Sequence, residues 1–177
     1  MAEVRSITFR RGNFDYGISL GWDEAQLSEG AIDFEITVFR DRVDTKGNRI
    51  GDRIQVATHV VVEEDKEGGA VLKIHVADQE LFSLPLAQLF DEESVVGRAL
   101  ESVHSAVYGG DPVLGCLIRS GCSATVGQII SCKNDTIGVE WVRTRLMAIG
   151  RCLRSHIPDI ALKTTLRAAR CVFSLGF

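Results

Sequence analysis

From Phe14 to Val76 the alternating apolar residues of successive segments fall on even-numbered positions, and the phase hardly slips. Phe14, Tyr16, Ile18 and Leu20 alternate with Asp15, Gly17 and Ser19, and Ile32, Phe34, Ile36 and Val38 alternate with Asp33, Glu35 and Thr37. Ile54, Val56, Val60 and Val62, then Leu72, Ile74 and Val76, continue in the same phase. A period of two sends apolar side chains to one face of a pleated sheet and polar ones to the other. This stretch must therefore be strands with one face in need of cover. Val4–Arg10 reads as a weaker first strand and Glu80–Leu84 as a short continuation. The expectation for residues 1–84 is an antiparallel meander of about five strands.

Two turns set how these strands should pair. Asp44-Thr45-Lys46-Gly47 and Asp65-Lys66-Glu67-Gly68 each offer an Asp to open a type I turn and a Gly where φ must be positive. That chemistry specifies the three-residue hairpin loop with a G1 bulge. Counting back from the second loop, opposed residue numbers sum to 134, which pairs Val62 with Leu72 and Val60 with Ile74. Counting back from the first, they sum to 92, which pairs Val38 with Ile54 and Ile36 with Val56. Apolar meets apolar in both hairpins, as a sheet with one buried face requires.

Beyond residue 90 the period changes. Asp91 reads as an N-cap with Glu92 and Glu93 in the first turn, and Val95, Val96, Ala99, Leu100, Val103 and Val107 share one helical face up to Gly109-Gly110. Asp111-Pro112 opens a second helix that runs to about Cys132, and Arg119 is its only charge, which marks it as central. A third helix is expected from a cap at Asp135 or Thr136 to about Arg154, and a fourth from Pro158 to near Ser174. Strands followed by helices, not alternating with them, give an α+β fold with about four C-terminal helices layered on the sheet. The 177 residues are 45% hydrophobic and show no linker or repeat. A single domain is expected, in which a mainly β half (1–84) and a mainly α half (91–177) share one core.

The net charge of -4 argues against a protein that coats nucleic acid through its overall field. Residues 136–177 nevertheless carry seven basic side chains against Glu140 and Asp159. Ser120–Cys132, the longest charge-free run in the second half, falls short of the roughly 20 apolar residues of a membrane span, so no transmembrane segment is expected. Glu3, Arg5, Arg10 and Arg11 break up the start of the chain where a secretory leader would be apolar, and a cytoplasmic address is the expectation. The five cysteines, Cys116, Cys122, Cys132, Cys152 and Cys171, contain no C-x-x-C pair. They read as small buried hydrophobes and not as a zinc site.

Two constellations stand out as candidate sites. The registers place His59 across from His75 and Asp33 across from His59, a polar row with neighbours about 5 Å apart at Cβ. Two imidazoles and a carboxylate are ligands for a first-row divalent metal, or an acid–base pair with an orienting Asp; the plain alternative is a solvated sheet face. The second constellation is cationic: Arg143, Arg151 and Arg154 on the third helix, with Lys163, Arg167 and Arg170 along one stripe of the fourth. Such a surface suits an acidic protein partner or a phosphate-bearing ligand. No aromatic residues are interleaved with it, so nucleic acid is not the expected partner. The other side of the fourth helix, with Leu162, Leu166, Ala169, Val172 and Phe173, is expected to face the core. His104, flanked by Glu101 and Tyr108, reads as a helix-edge histidine.

Catalytic templates fail. Gly110–Gly115 has the spacing of a phosphate loop but is followed by Cys116 and not by Lys, and Thr125 stands where G-x-S-x-G needs Gly. No cofactor is expected. The expectation is a non-catalytic interaction or scaffolding module that forms a homo-oligomer through its sheet edge or small-residue helix surface. The competing expectation is a small enzyme, or a ligand- or metal-binding protein, using the Asp33/His59/His75 row or a pocket between sheet and helices.

Overall fold

The alternation is realised as one antiparallel sheet. The computed structural model describes residues 2–101, 110–138 and 141–173. Six strands follow one another across the sheet in chain order: β1 (Ala2–Arg11), β2 (Phe14–Asp23), β3 (Ile32–Val43), β4 (Arg49–Glu64), β5 (Ala70–Val76) and β6 (Gln79–Pro85). Tyr16, Ile18, Leu20, Phe34, Ile36, Val38, Val56, Val60, Leu72 and Ile74 are all buried on one face. Both expected loops form. Gly47 and Gly68 take φ of +84° and +81°. Their N–H groups donate to the carbonyls of Asp44 (3.0 Å) and Asp65 (3.2 Å). Each Asp carboxylate also accepts two backbone N–H groups of its own loop.

The β4–β5 register is the expected one: Val62 faces Leu72, Val60 faces Ile74 and His59 faces His75. The β3–β4 register corrects the expectation. Next to the loop the sum is 92, with Val43 opposite Arg49 and Arg42 opposite Ile50, but beyond Arg40 it is 94. Val38 therefore faces Val56, Ile36 faces Thr58, and Glu35 takes the place across from His59 that was expected of Asp33. The cause is a bulge in β4 at Gly51-Asp52, where Gly51 sits at φ +73°. A bulge of two extra residues slides the pairing by two and leaves every side chain on its original face. The core pattern survives while the neighbours change. Thr58, in phase with Val56 and Val60, points inward, fully buried, with Ile36 as its new neighbour and no partner for its hydroxyl.

The helical layer covers the apolar face. A short α1 (Glu24–Ser28), not anticipated from the sequence, joins β2 to β3 and is capped by Asp23, whose carboxylate accepts the Gln26 N–H at 3.0 Å. After a 3-10 turn at Leu86–Gln88 come α2 (Glu92–Glu101), α3 (Pro112–Asp135), α4 (Val142–Ser155) and α5 (Ile157–Phe173). Val103, His104, Val107 and Tyr108 lie outside the described residues. The expected start of the third helix is corrected: Thr136 closes the end of α3, its hydroxyl donating to the Lys133 carbonyl at 2.9 Å, and α4 begins only at Val142. By length and composition α3 is sufficient to cross a membrane, because one charge does not disqualify an apolar helix as the charge-free count implied; in the fold 72% of its most apolar window is buried. The cysteines also correct the expectation. Cys116–Cys171 ties α3 to α5 and Cys132–Cys152 ties α3 to α4; Cys122 alone is a free, buried thiol.

Candidate functional site

The polar row lies on the uncovered face of the sheet, rearranged by the bulge. His59 is held between two carboxylates of β3: its Nδ1 is 2.8 Å from Asp33 Oδ1 and its Nε2 is 3.3 Å from Glu35 Oε2. A cleft of about 260 Å³ opens beside them, lined by Val4, Trp22, Gln26, Asp33, Glu35 and His59. His75 is the register partner of His59, yet Asp33, His59 and His75 do not bring their ligating atoms together as a metal requires. Among the described residues, the group of three whose ligating atoms all lie within 4.8 Å of one another is Cys132, Cys152 and His156. Spacing alone hid that group, because Cys132 comes from a different helix.

The six cations do not form one surface. Arg154 reaches from α4 to α1, donating to Ser28 Oγ (3.1 Å) and standing 3.7 Å from Glu24. Arg167 is half-buried and donates to Glu92 Oε1 of α2 at 3.2 Å. Both link helices, although the Arg154 side chain is itself 53% exposed. Arg143, Arg151, Lys163 and Arg170 are exposed, and Arg143 borders a cleft it shares with Glu29, Glu63 and Glu64.

Two further charged groups are buried for structural reasons. Asp111 caps α3 by accepting the Val113 N–H at 2.8 Å, and its other oxygen accepts the Tyr16 hydroxyl at 2.6 Å and the Arg40 guanidinium at 2.9 Å. Burial pushes the Asp111 carboxyl up, but the bonds from Tyr16, Arg40 and Val113 outweigh it and hold it below the ordinary Asp value. Burial, together with the bond to Asp111, pushes the Tyr16 phenol up to about 12. Lys133 donates to the carbonyls of Leu86 and Leu89 and lies 4.4 Å from the Phe90 ring centre. Burial and the nearby Arg145 lower its pKa. Burial alone pushes the Cys122 thiol up to about 12, which removes it as a nucleophile.

The surface that sequence reading missed is on α5. Leu162, Leu166 and Phe173, expected in the core, are 59%, 57% and 60% exposed. They recur at i, i+4 and i+11, one stripe of a helix. Val172 does face the core as expected, and the rest of the core side of α5 is Ile157, Ile160, Ala168 and Cys171. A helix with two apolar faces gives periodicity no means of choosing between them. Beside the stripe a groove of about 360 Å³ runs between α5 and the β1–β2 pair, walled by Ile7, Ile18, Leu20, Pro158 and Ala161, with Arg5 at its rim. Phe173 meets Phe9 of β1 edge-on, ring centres 5.5 Å apart. β1 is an outer strand of the sheet, so one of its backbone edges is not paired within the sheet. Comparison with protein-family models, with curated proteins and with solved structures finds no match for this chain.

Proposed function

We propose that this chain is a non-catalytic interaction module that pairs with a second copy of itself along β1 and α5. The observation that carries the reading is the exposed Leu162/Leu166/Phe173 stripe running alongside a ten-residue edge strand. A long, regular edge without proline or bulge is a template for strand addition. Antiparallel pairing of two β1 strands about Ile7 puts Ser6 opposite Thr8 and Arg5 opposite Phe9, with no like charges facing between residues 4 and 10. The two sheets then become one, and the two α5 stripes approach across the same two-fold axis, as an isologous interface demands. Outside this interface the exposed Arg143 and Arg151 of α4 offer an acidic protein a cationic surface. In the proposed cytoplasmic setting, thiol reductants keep cysteines open.

Sedimentation equilibrium tests the reading. The native chain is expected to weigh as a dimer at micromolar concentration, and Leu162→Asp/Leu166→Asp as a folded monomer. A native chain that stays monomeric at all concentrations, or a double variant that remains dimeric, refutes it.

A further inference from the structure

Cys132 in the last turn of α3 and Cys152 in the last turn of α4 have Cα atoms 5.7 Å apart. His156 follows Cys152 by four residues and so returns to the same side of α4. Its Nδ1 lies 3.8 Å from Cys152 Sγ and 2.7 Å from the Cys152 carbonyl oxygen. A carbonyl only accepts, so Nδ1 carries the hydrogen of that bond and Nε2 keeps the lone pair. That is the arrangement by which a backbone carbonyl orients a metal-ligating histidine. Cys132 is buried, whereas Cys152 and His156 are half-buried and open to solvent on one side. The other bridge has Ser120 beside it, 3.3 Å from Cys171 Sγ, and no histidine among the described residues.

We propose that Cys132, Cys152 and His156 form a thiol-gated site for a thiophilic divalent ion of the Zn²⁺ type, closed while the bridge stands and opened by reduction. A dithiol reductant supplies two electrons and two protons; the S–S bond breaks, two thiols form, and the reductant leaves as its own disulfide. Zn²⁺ then displaces the two thiol protons and bonds to both thiolates and to the imidazole lone pair, leaving water in the fourth position. The charge of the ion is cancelled by its two thiolates. Two Zn–S bonds of about 2.3 Å at the tetrahedral angle set the sulfurs about 3.8 Å apart, within reach of side-chain rotation at the observed backbone separation. A site with three protein ligands and one open position is the exchangeable kind of zinc site, not the closed structural kind.

The test titrates the full chain anaerobically with Co²⁺, before and after reduction by a thiol-free phosphine, and then displaces Co²⁺ with Zn²⁺. The reduced protein is expected to bind one equivalent with a sulfur-to-cobalt charge-transfer band, and the oxidised protein none. Zn²⁺ should shield Cys132 and Cys152 from alkylation while Cys116 and Cys171 react. His156→Ala, which leaves every thiol in place, should weaken binding at least tenfold. Equal affinity in His156→Ala, alkylation of Cys132 and Cys152 at an undiminished rate, or a reduced chain that loses its helical signal and does not regain it with Zn²⁺ overturns the proposal.

Discussion

Asp111 joins the two halves of the protein, and its removal should show how strongly. Three groups depend on it: the Val113 N–H at the start of α3, the Tyr16 hydroxyl on β2 and the Arg40 guanidinium on β3. In Asp111→Ala the lost cap costs about 1 kcal/mol. The buried Tyr16 hydroxyl left without a partner costs about 1–3 kcal/mol, and the Arg40 bond, its side chain 21% exposed and so partly screened, adds about 1 kcal/mol. The expected loss by urea unfolding at pH 7 is about 3–5 kcal/mol. Asp111→Asn, which keeps a cap and an acceptor, should lose less than half of that. Tyr16→Phe should cost about 1 kcal/mol and couple to Asp111→Ala, because the two variants delete the same bond. The pH dependence has a definite sign at each end. The folded Asp111 carboxyl is held low, so its contribution is present above the ordinary Asp value of about 3.9 and fades as pH falls through the folded value. The Tyr16 phenol is raised to about 12, so its contribution is complete below about pH 10 and is lost between about pH 10 and 12, by roughly 2–3 kcal/mol. Tyr16→Phe should abolish that alkaline loss. An Asp111→Ala protein within about 0.5 kcal/mol of the native chain would refute the claim that this carboxylate fastens α3 to the sheet.

Other variants test other parts of the structure. A Cβ on Gly150 would stand 1.8 Å from the Leu27 carbonyl oxygen, so Gly150→Ala must push α4 off α1 and is expected to cost about 2–3 kcal/mol in chemical denaturation. Thr58→Val replaces a fully buried hydroxyl that has no partner and should raise stability by about 1 kcal/mol; a loss would mean that the hydroxyl is bonded after all. In the oxidised protein, Cys116→Ala/Cys171→Ala opens a loop of 55 residues' separation and should cost about 4 kcal/mol by chain entropy, read from the shift in the urea midpoint without reductant. His59→Ala, which removes contacts to Asp33 and Glu35 that are themselves half-exposed, should change stability by less than about 1 kcal/mol, so a large loss would give the outer face a structural role it is not assigned here.

How far the fold could be read ahead depended on whether the deciding interactions were local. The hairpin loops were legible because Asp and Gly determine them within four residues, and the β4–β5 register followed from its loop without interruption. The β3–β4 register was not legible past Arg40. Counting straight back from the loop passes over Gly51-Asp52, and the pair that helps to hold the bulge, Asp41 with Arg53, lies on two different strands. The Cys132/Cys152/His156 group and the Arg167–Glu92 pair were hidden for the same reason, since each joins helices whose packing no periodicity states. On α5 the difficulty was different. Leu162 and Leu166 carry the same helical signal as Ile157 and Ile160, and only the sheet beneath decides which of the two sets it covers.

The two extra residues in β4 separate two kinds of information that a sheet usually carries together. Which side chains are dry depends only on odd against even, whereas which outward residues stand together depends on the offset between strands. An insertion of two alters the second and spares the first. The solvent-side mosaic of this protein, with Glu35 now facing His59, can thus be re-dealt in steps of two residues while the interior keeps the same hand.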